Sequence, residues 1–70
     1  MFDWFVERND SVKDNGSAGT SALAIENSRK SAEKRRPKNN DEVIVAVYKD
    51  LRTIIYKAGL SRDGWNVYLS

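Results

Sequence analysis

The apolar residues of this 70-residue chain fall mainly in two segments, the first eight residues and the span 43–69. Fewer than roughly 40 ordered residues seldom bury a self-sufficient core, so the second segment by itself needs a covalent or metal staple, or a second subunit. The chain has no cysteine and no histidine, which excludes disulfides and removes the commonest metal ligand. Self-association or a partner protein is therefore the favoured way to complete the core.

The first eight residues hold three of the chain's seven aromatic side chains. At about 100° per residue, Phe2, Phe5 and Val6 share one arc of a helix with Trp4 at its border, which indicates an amphipathic segment. Residues 9–21 contain two glycines and three serines and are typical of a flexible linker. We expect the aromatic face of this tethered segment to pack against an apolar surface. A bilayer, a partner protein and the chain's own core are all candidates for that surface.

Residues 22–38 form a basic segment, in which the stretch 29–38 carries six cations against Glu33. Helix-forming residues are frequent from Glu26 onward but apolar ones are scarce, so we expect disorder or a helix that forms on binding. Such a block attracts phosphates, nucleic acid, anionic lipid or an acidic protein face. The candidate partner-binding residues are Arg29, Lys30, Lys34, Arg35 and Arg36.

The span 43–58 has an apolar stripe at helical spacing, with Asn40 placed to cap its start and Gly59 its end. These signals predict an amphipathic helix over about 41–58. A strand through 43–48 is the competing interpretation, because that run is mostly β-branched. After a turn at 61–64, the alternating residues 65–69 predict a half-buried strand that needs a pairing partner.

No catalytic constellation is visible in the sequence. The chain lacks a phosphate-binding glycine loop, a paired nucleophile and base, and carboxylates at metal-ligand spacing. We therefore expect a non-enzymatic protein without cofactor or metal. No apolar run approaches the roughly 20 residues of a membrane span, and no secretory signal is visible, so we expect a cytoplasmic protein with peripheral membrane contact.

Several short pieces of the chain, in this order, resemble the cell-division topological specificity factor MinE. The start Phe2–Arg8 is similar to that family's amphipathic membrane-targeting terminus, and residues 32–36 resemble the basic end of its partner-contacting region. Residues 48–57 look like its single helix, and residues 65–70 resemble the strand that follows.

The resemblance implies a dimeric α/β regulator of division-site placement. Such a protein binds a membrane-associated MinD-type ATPase, stimulates ATP hydrolysis and releases the ATPase from the bilayer. The block Arg29–Arg36 would lie at the ATPase contact, and Asp50 and Ile54, one helical turn apart, would form a site-selection face. The residues implied to bind the anionic membrane surface are Phe2, Trp4, Phe5, Val6 and Arg8.

Together these features predict an α+β fold with a flexible N-terminal half, one helix at about 41–58 and a short strand at about 65–69, completed by homodimerisation. The expected parts are an amphipathic segment 1–8, a linker 9–21, a partner-contact segment 22–38 and a dimerisation module 39–70. Two alternatives stay open. One is a small nucleic-acid-binding or phage-type regulatory protein that uses residues 29–38 on phosphates. The other is a pure interaction module whose exposed strand adds to a partner's sheet.

Overall fold

Five antiparallel strands form one sheet, and a single helix packs against one of its faces. The computed structural model describes all 70 residues. Its helix is α1 (Ser21–Glu33), and its strands are β1 (Phe2–Arg8), β2 (Ser11–Ala18), β3 (Val43–Lys49), β4 (Thr53–Ser61) and β5 (Gly64–Leu69). The strand order in space is β2-β1-β3-β4-β5, so β2 and β5 are the edges. The predicted α+β class is confirmed.

The N-terminal half is ordered, so the predicted flexible half is wrong. The first residues alternate with a period of two, which places Trp4 and Val6 in the core and Phe5 on the opposite face of β1. Asn9 and Asp10 form a tight turn with φ angles of 54° and 63°. Strand β2 then pairs with the whole of β1, so most of the predicted linker 9–21 is a β-hairpin arm.

The predicted helix at 41–58 is also wrong, because that span forms β3, a turn and β4. The β-branched run from Val43 to Val47 favours an extended backbone, as the competing interpretation held. Apolar residues occur on both faces of β3 because the strand is central in the sheet, and this continuous run imitates a helical stripe. The predicted strand at 65–69 is confirmed as β5.

The only helix, α1, begins at Ser21 and covers most of the basic segment 22–38, and it is formed in the folded chain rather than only on binding a partner. Thr20 caps α1, its hydroxyl accepting the amide of Leu23 at 3.2 Å. The buried side of α1 consists of small residues that allow a close approach to the sheet. They are Ala24, Ser28, Ser31 and Ala32.

The core lies between α1 and the first four strands, and β5 extends past it. The helix packs over β1, β2 and β3 and only marginally over β4. It reaches β5 through two side chains, with the Arg29 guanidinium 4.4 Å from the Trp65 ring centroid and Glu33 accepting from Trp65 Nε1 at 3.0 Å. The large core side chains are Trp4, Val6, Val43, Val45, Val47, Tyr56 and Leu60.

Candidate interaction surfaces

The sheet face opposite α1, which we call the open face, is not covered by any element of the chain. Phe5 and Tyr48 meet there edge to face, with ring centroids 5.8 Å apart and planes at 79°. Glu42 lies over Gly59, where any Cβ would collide with the carboxyl group, and accepts a 2.6 Å hydrogen bond from the Tyr68 hydroxyl. That hydrogen bond raises the pKa of Tyr68 above its ordinary value of 10.0. The open face is thus aromatic with carboxylates beside the rings.

A cleft of about 320 Å³ opens on this face beside the turn between β3 and β4. Four of its five lining residues are hydrophobic, and Glu7 is the fifth. A second hollow adjoins it, shares Phe5 and Leu51, and is otherwise polar, with Asp3 among its lining residues. The hydrophobic lining residues of the cleft are Phe5, Val12, Tyr48 and Leu51.

Leu51, on the rim of the cleft, has an unfavourable backbone conformation for its residue type. Four non-glycine residues have positive φ, and the other three are asparagine or aspartate, which tolerate that region. Leu51 has a φ of 59° and follows Asp50 at 53°, and the Arg52 amide closes the turn on the Lys49 carbonyl at 3.0 Å. The Leu51 residue is 66% exposed. Neither local preference nor burial accounts for a leucine at this position.

The two edge strands differ in how they are protected from pairing with another chain. Strand β2 carries Lys13 and Asp14, and its register with β1 is interrupted by a bulge. Strand β5 has no charged residue between Gly64 and Leu69, and exposes 41–50% of each of its last three apolar residues. The pairing of β5 with β4 has a register irregularity as well, so the difference between the edges is charge, and β5 is the less protected one.

The predicted partner-binding cations are largely engaged within the chain. Arg29 stacks on Trp65 and donates to the Tyr56 hydroxyl at 3.4 Å, and Arg36 pairs with Glu33 at 3.2 Å. Arg35 donates two 3.0 Å bonds to Ser31. Lys30 and Lys34 are exposed and make no ion pair. Three of the five cations therefore make contacts within the fold, and the role of these residues in binding a partner stays a prediction.

The predicted membrane-binding residues are divided between the two sides of β1. Trp4 and Val6 are buried and Phe2 packs against the core, whereas Phe5 lies in the cleft. Arg8 forms a half-buried ion pair with Asp41 at 3.1 Å. The structure therefore does not bring these five side chains onto one exposed face, and insertion of all of them in a bilayer would require β1 to leave the sheet.

The predicted site-selection residues do not share a helical face. Asp50 lies in the β3–β4 turn, where its carboxylate contacts the N-terminal ammonium at 3.2 Å. Ile54 lies in β4 opposite Tyr48 and is half-buried. Their spacing of four positions spans a turn rather than one turn of a helix, so the spacing argument for a common surface does not apply.

Asp14 links the edge strand β2 to α1 through a side-chain hydrogen bond. Its carboxylate accepts a short hydrogen bond from the Ser31 hydroxyl, which is also contacted by Arg35. The Ser31 hydrogen bond lowers the pKa of Asp14 below its ordinary value of 3.8, with smaller contributions from the Asn15 amide, Arg35 and Lys34. The Asp14–Ser31 contact is a structural one, on the covered side of the sheet.

Comparison with known families, with curated proteins and with solved structures finds no match to this chain. The helix is not long and apolar enough to cross a membrane. The structure contains no group of three or more acidic, cysteine or histidine side chains placed to hold a metal ion. The surfaces themselves are therefore the basis for a functional proposal.

Sequence reasoning missed the cleft because its lining residues come from three separated parts of the chain. Val12 was assigned to a linker and Tyr48 to a helix, so nothing brought them near Phe5. A signal was nevertheless present in the two β-branched runs on either side of Asp50, a residue type that favours turns, although Leu51 is not a typical hairpin residue. Reading that turn correctly would have placed Tyr48 and Ile54 on neighbouring strands.

Proposed function

We propose that this chain is a non-catalytic protein-interaction module that assembles through the outer edge of β5, with a second copy of the chain as its partner. The observation that carries the proposal is that the edge strand β5 is uncharged and exposes apolar side chains, whereas β2, at the opposite edge of the sheet, carries Lys13 and Asp14. An exposed edge strand offers unpaired amides and carbonyls to another strand, which is the basis of β-strand addition.

Exposure of both faces of β5 supports the same proposal. Val67 points to the helix side, opposite Ala58, but lies beyond the area that α1 covers and is 49% exposed. Tyr68 and Leu69 are 50% and 41% exposed. The register irregularity of β5 against β4 falls at these last two residues, which leaves Gly64–Val67 regular for pairing. A second strand alongside would bury apolar area on both faces at once.

The second copy is the partner that the strand's own composition favours. Antiparallel pairing of β5 with the β5 of another copy would join two uncharged strands in one ten-stranded sheet. Two-fold symmetric pairing closes the assembly at a dimer, because each copy uses its unprotected edge and leaves the charged β2 edge outside. The predicted homodimer is therefore retained as a proposal, with the outer edge of β5 as its proposed interface.

The test is the oligomeric state of the chain and of two lysine variants, measured by light scattering across a series of chain concentrations. Val67→Lys places a charge on the β5 edge, and we expect it to shift the chain from dimer to monomer. Leu23→Lys is the matched control, since Leu23 is 45% exposed on the outer side of α1. We expect the control to dimerise like the parent chain.

Two results would overturn this proposal. The parent chain could remain monomeric at the highest concentration that keeps it soluble, or Val67→Lys and Leu23→Lys could dimerise equally well. Circular dichroism of both variants checks that each retains the fold.

The MinE-like role, including the MinD-type ATPase and membrane partners, stays a prediction. Phosphate release by a MinD-type ATPase on anionic vesicles, with and without this chain, measures it directly. Nucleic-acid binding by residues 29–38 also stays a prediction. Its test is the salt dependence of binding, because phosphate contacts weaken steeply as ionic strength rises.

A further inference from the structure

We infer that the cleft on the open face binds an extended protein segment that carries a large apolar side chain with a lysine or arginine on either side of it. This second surface is formed by β1, β2, the end of β3 and the β3–β4 turn, and does not include β5. The inference is independent of the dimer proposed above.

The apolar part of the inference rests on how the cleft is built. Phe5 and Tyr48 form its aromatic wall, and Val12 and Leu51 contribute side chains that are 51% and 66% exposed. Leu51 keeps a left-handed backbone that asparagine or glycine would adopt more easily. Strained backbone conformations occur preferentially at binding sites, so a ligand that contacts the exposed Leu51 side chain would account for a leucine at this position.

The cationic part of the inference rests on the charges at the cleft. Glu7 lines the cleft and Asp3 lines the adjoining hollow, whereas no lysine or arginine lines either of them. Neither carboxylate is engaged in an ion pair within the chain. A basic segment would therefore gain two charge contacts here, and an acidic segment or a phosphate would be repelled.

The spacing of these groups matches an extended segment. Asp3, Phe5 and Glu7 are alternate residues of β1 on the same face, so successive members are about 7 Å apart. Alternate residues of an extended peptide have the same spacing. The matching pattern is a cation, a spacer, a large apolar residue, a spacer and a second cation.

The experiment uses the full chain labelled with ¹⁵N and a short peptide, Lys-Ser-Trp-Ser-Lys, with blocked ends, followed by amide chemical shifts. We expect shifts at Phe5, Val12, Tyr48 and Leu51. Replacing both lysines of the peptide by glutamate, or its tryptophan by alanine, should remove them. Leu51→Gly should weaken binding roughly tenfold, because it removes one apolar side chain from the contact while keeping a residue suited to positive φ.

The control variant is Leu23→Lys, which lies on α1, away from the open face, and should bind the peptide as the parent chain does. Equal shifts with the lysine and glutamate peptides, shifts that lie outside the cleft, or unchanged affinity in Leu51→Gly would each overturn the inference. Concentration-dependent shifts of the cleft residues without peptide would also overturn it, since a second copy would then be the occupant.

Discussion

At the scale of single residues, Leu51 is the position where local preference and the fold disagree most. A hairpin turn with two consecutive positive φ angles favours asparagine, aspartate and glycine. The turn at Asn9 and Asp10 follows that preference, whereas the turn at Asp50 and Leu51 follows it only at its first residue. A leucine at the second position costs stability in the free chain, and the ligand contact that we infer at the cleft supplies a reason for this residue.

We therefore predict that Leu51→Gly raises stability while it weakens binding at the cleft. Relief of the left-handed strain outweighs the larger conformational entropy of glycine in the unfolded chain, for a gain of roughly 0.5–1 kcal/mol. Urea unfolding of the two proteins measures the difference. A loss of stability in Leu51→Gly would show that the side chain supports the fold, and would remove the strain argument for the cleft.

The Asp14–Ser31 hydrogen bond gives a pH dependence of stability with a defined sign. The pKa of Asp14 is lowered in the folded chain, so its contribution is fully present above the ordinary value of 3.8 and is lost as pH falls through the lower folded value. We expect Asp14→Asn to show a shallower loss of stability than the parent chain below about pH 4. Urea midpoints at a series of acidic pH values measure this, and parallel pH profiles would contradict it.

At the scale of elements, the sequence pattern predicted β5, indicated β3 only as the competing strand at 43–48, and did not indicate β1, β2 or β4. The strand at 65–69 was recognisable because it follows a turn and alternates in polarity. The first eight residues fit both a helical arc and a strand period, and only pairing with β3 decides between them. The run at 43–58 reads as one helix because a central strand is apolar on both faces. The open-face cleft could not be predicted, since it depends on three of these pairings.

The sequence did not predict a stably folded helix at 21–33, because the surface of α1 that contacts the sheet consists of alanine and serine rather than large apolar residues. Close packing of α1 predicts that Ala24→Leu, at a fully buried position, destabilises the chain by about 1–3 kcal/mol through overpacking. Ala22→Leu, at an exposed position of the same helix, should change stability by less than about 0.5 kcal/mol. Thermal unfolding of both variants makes the comparison, and equal effects would mean that α1 does not pack closely on the sheet.

At the scale of the whole molecule, charge is distributed unequally between the two layers. Residues 21–38, which contain α1, carry six cations against Glu26 and Glu33, whereas the open face carries Asp3, Glu7 and Glu42 against a single lysine of the sheet, Lys57, opposite Ala46. The small net charge of +2 conceals this separation. The molecule therefore presents three different surfaces, a basic layer, an acidic aromatic face and an uncharged strand edge, and the last is the one proposed for assembly.

Hydrogen–deuterium exchange of the β5 amides at low and high chain concentration tests the proposed assembly most directly. Amides on the outer edge of a strand exchange quickly in a monomer and slowly when a second strand pairs with them. The account predicts that protection within Gly64–Leu69 rises with concentration, while the β2 edge, Ser11–Ala18, shows no such rise. Protection of β5 that is independent of concentration, or a rise at β2 instead, would contradict assembly through β5.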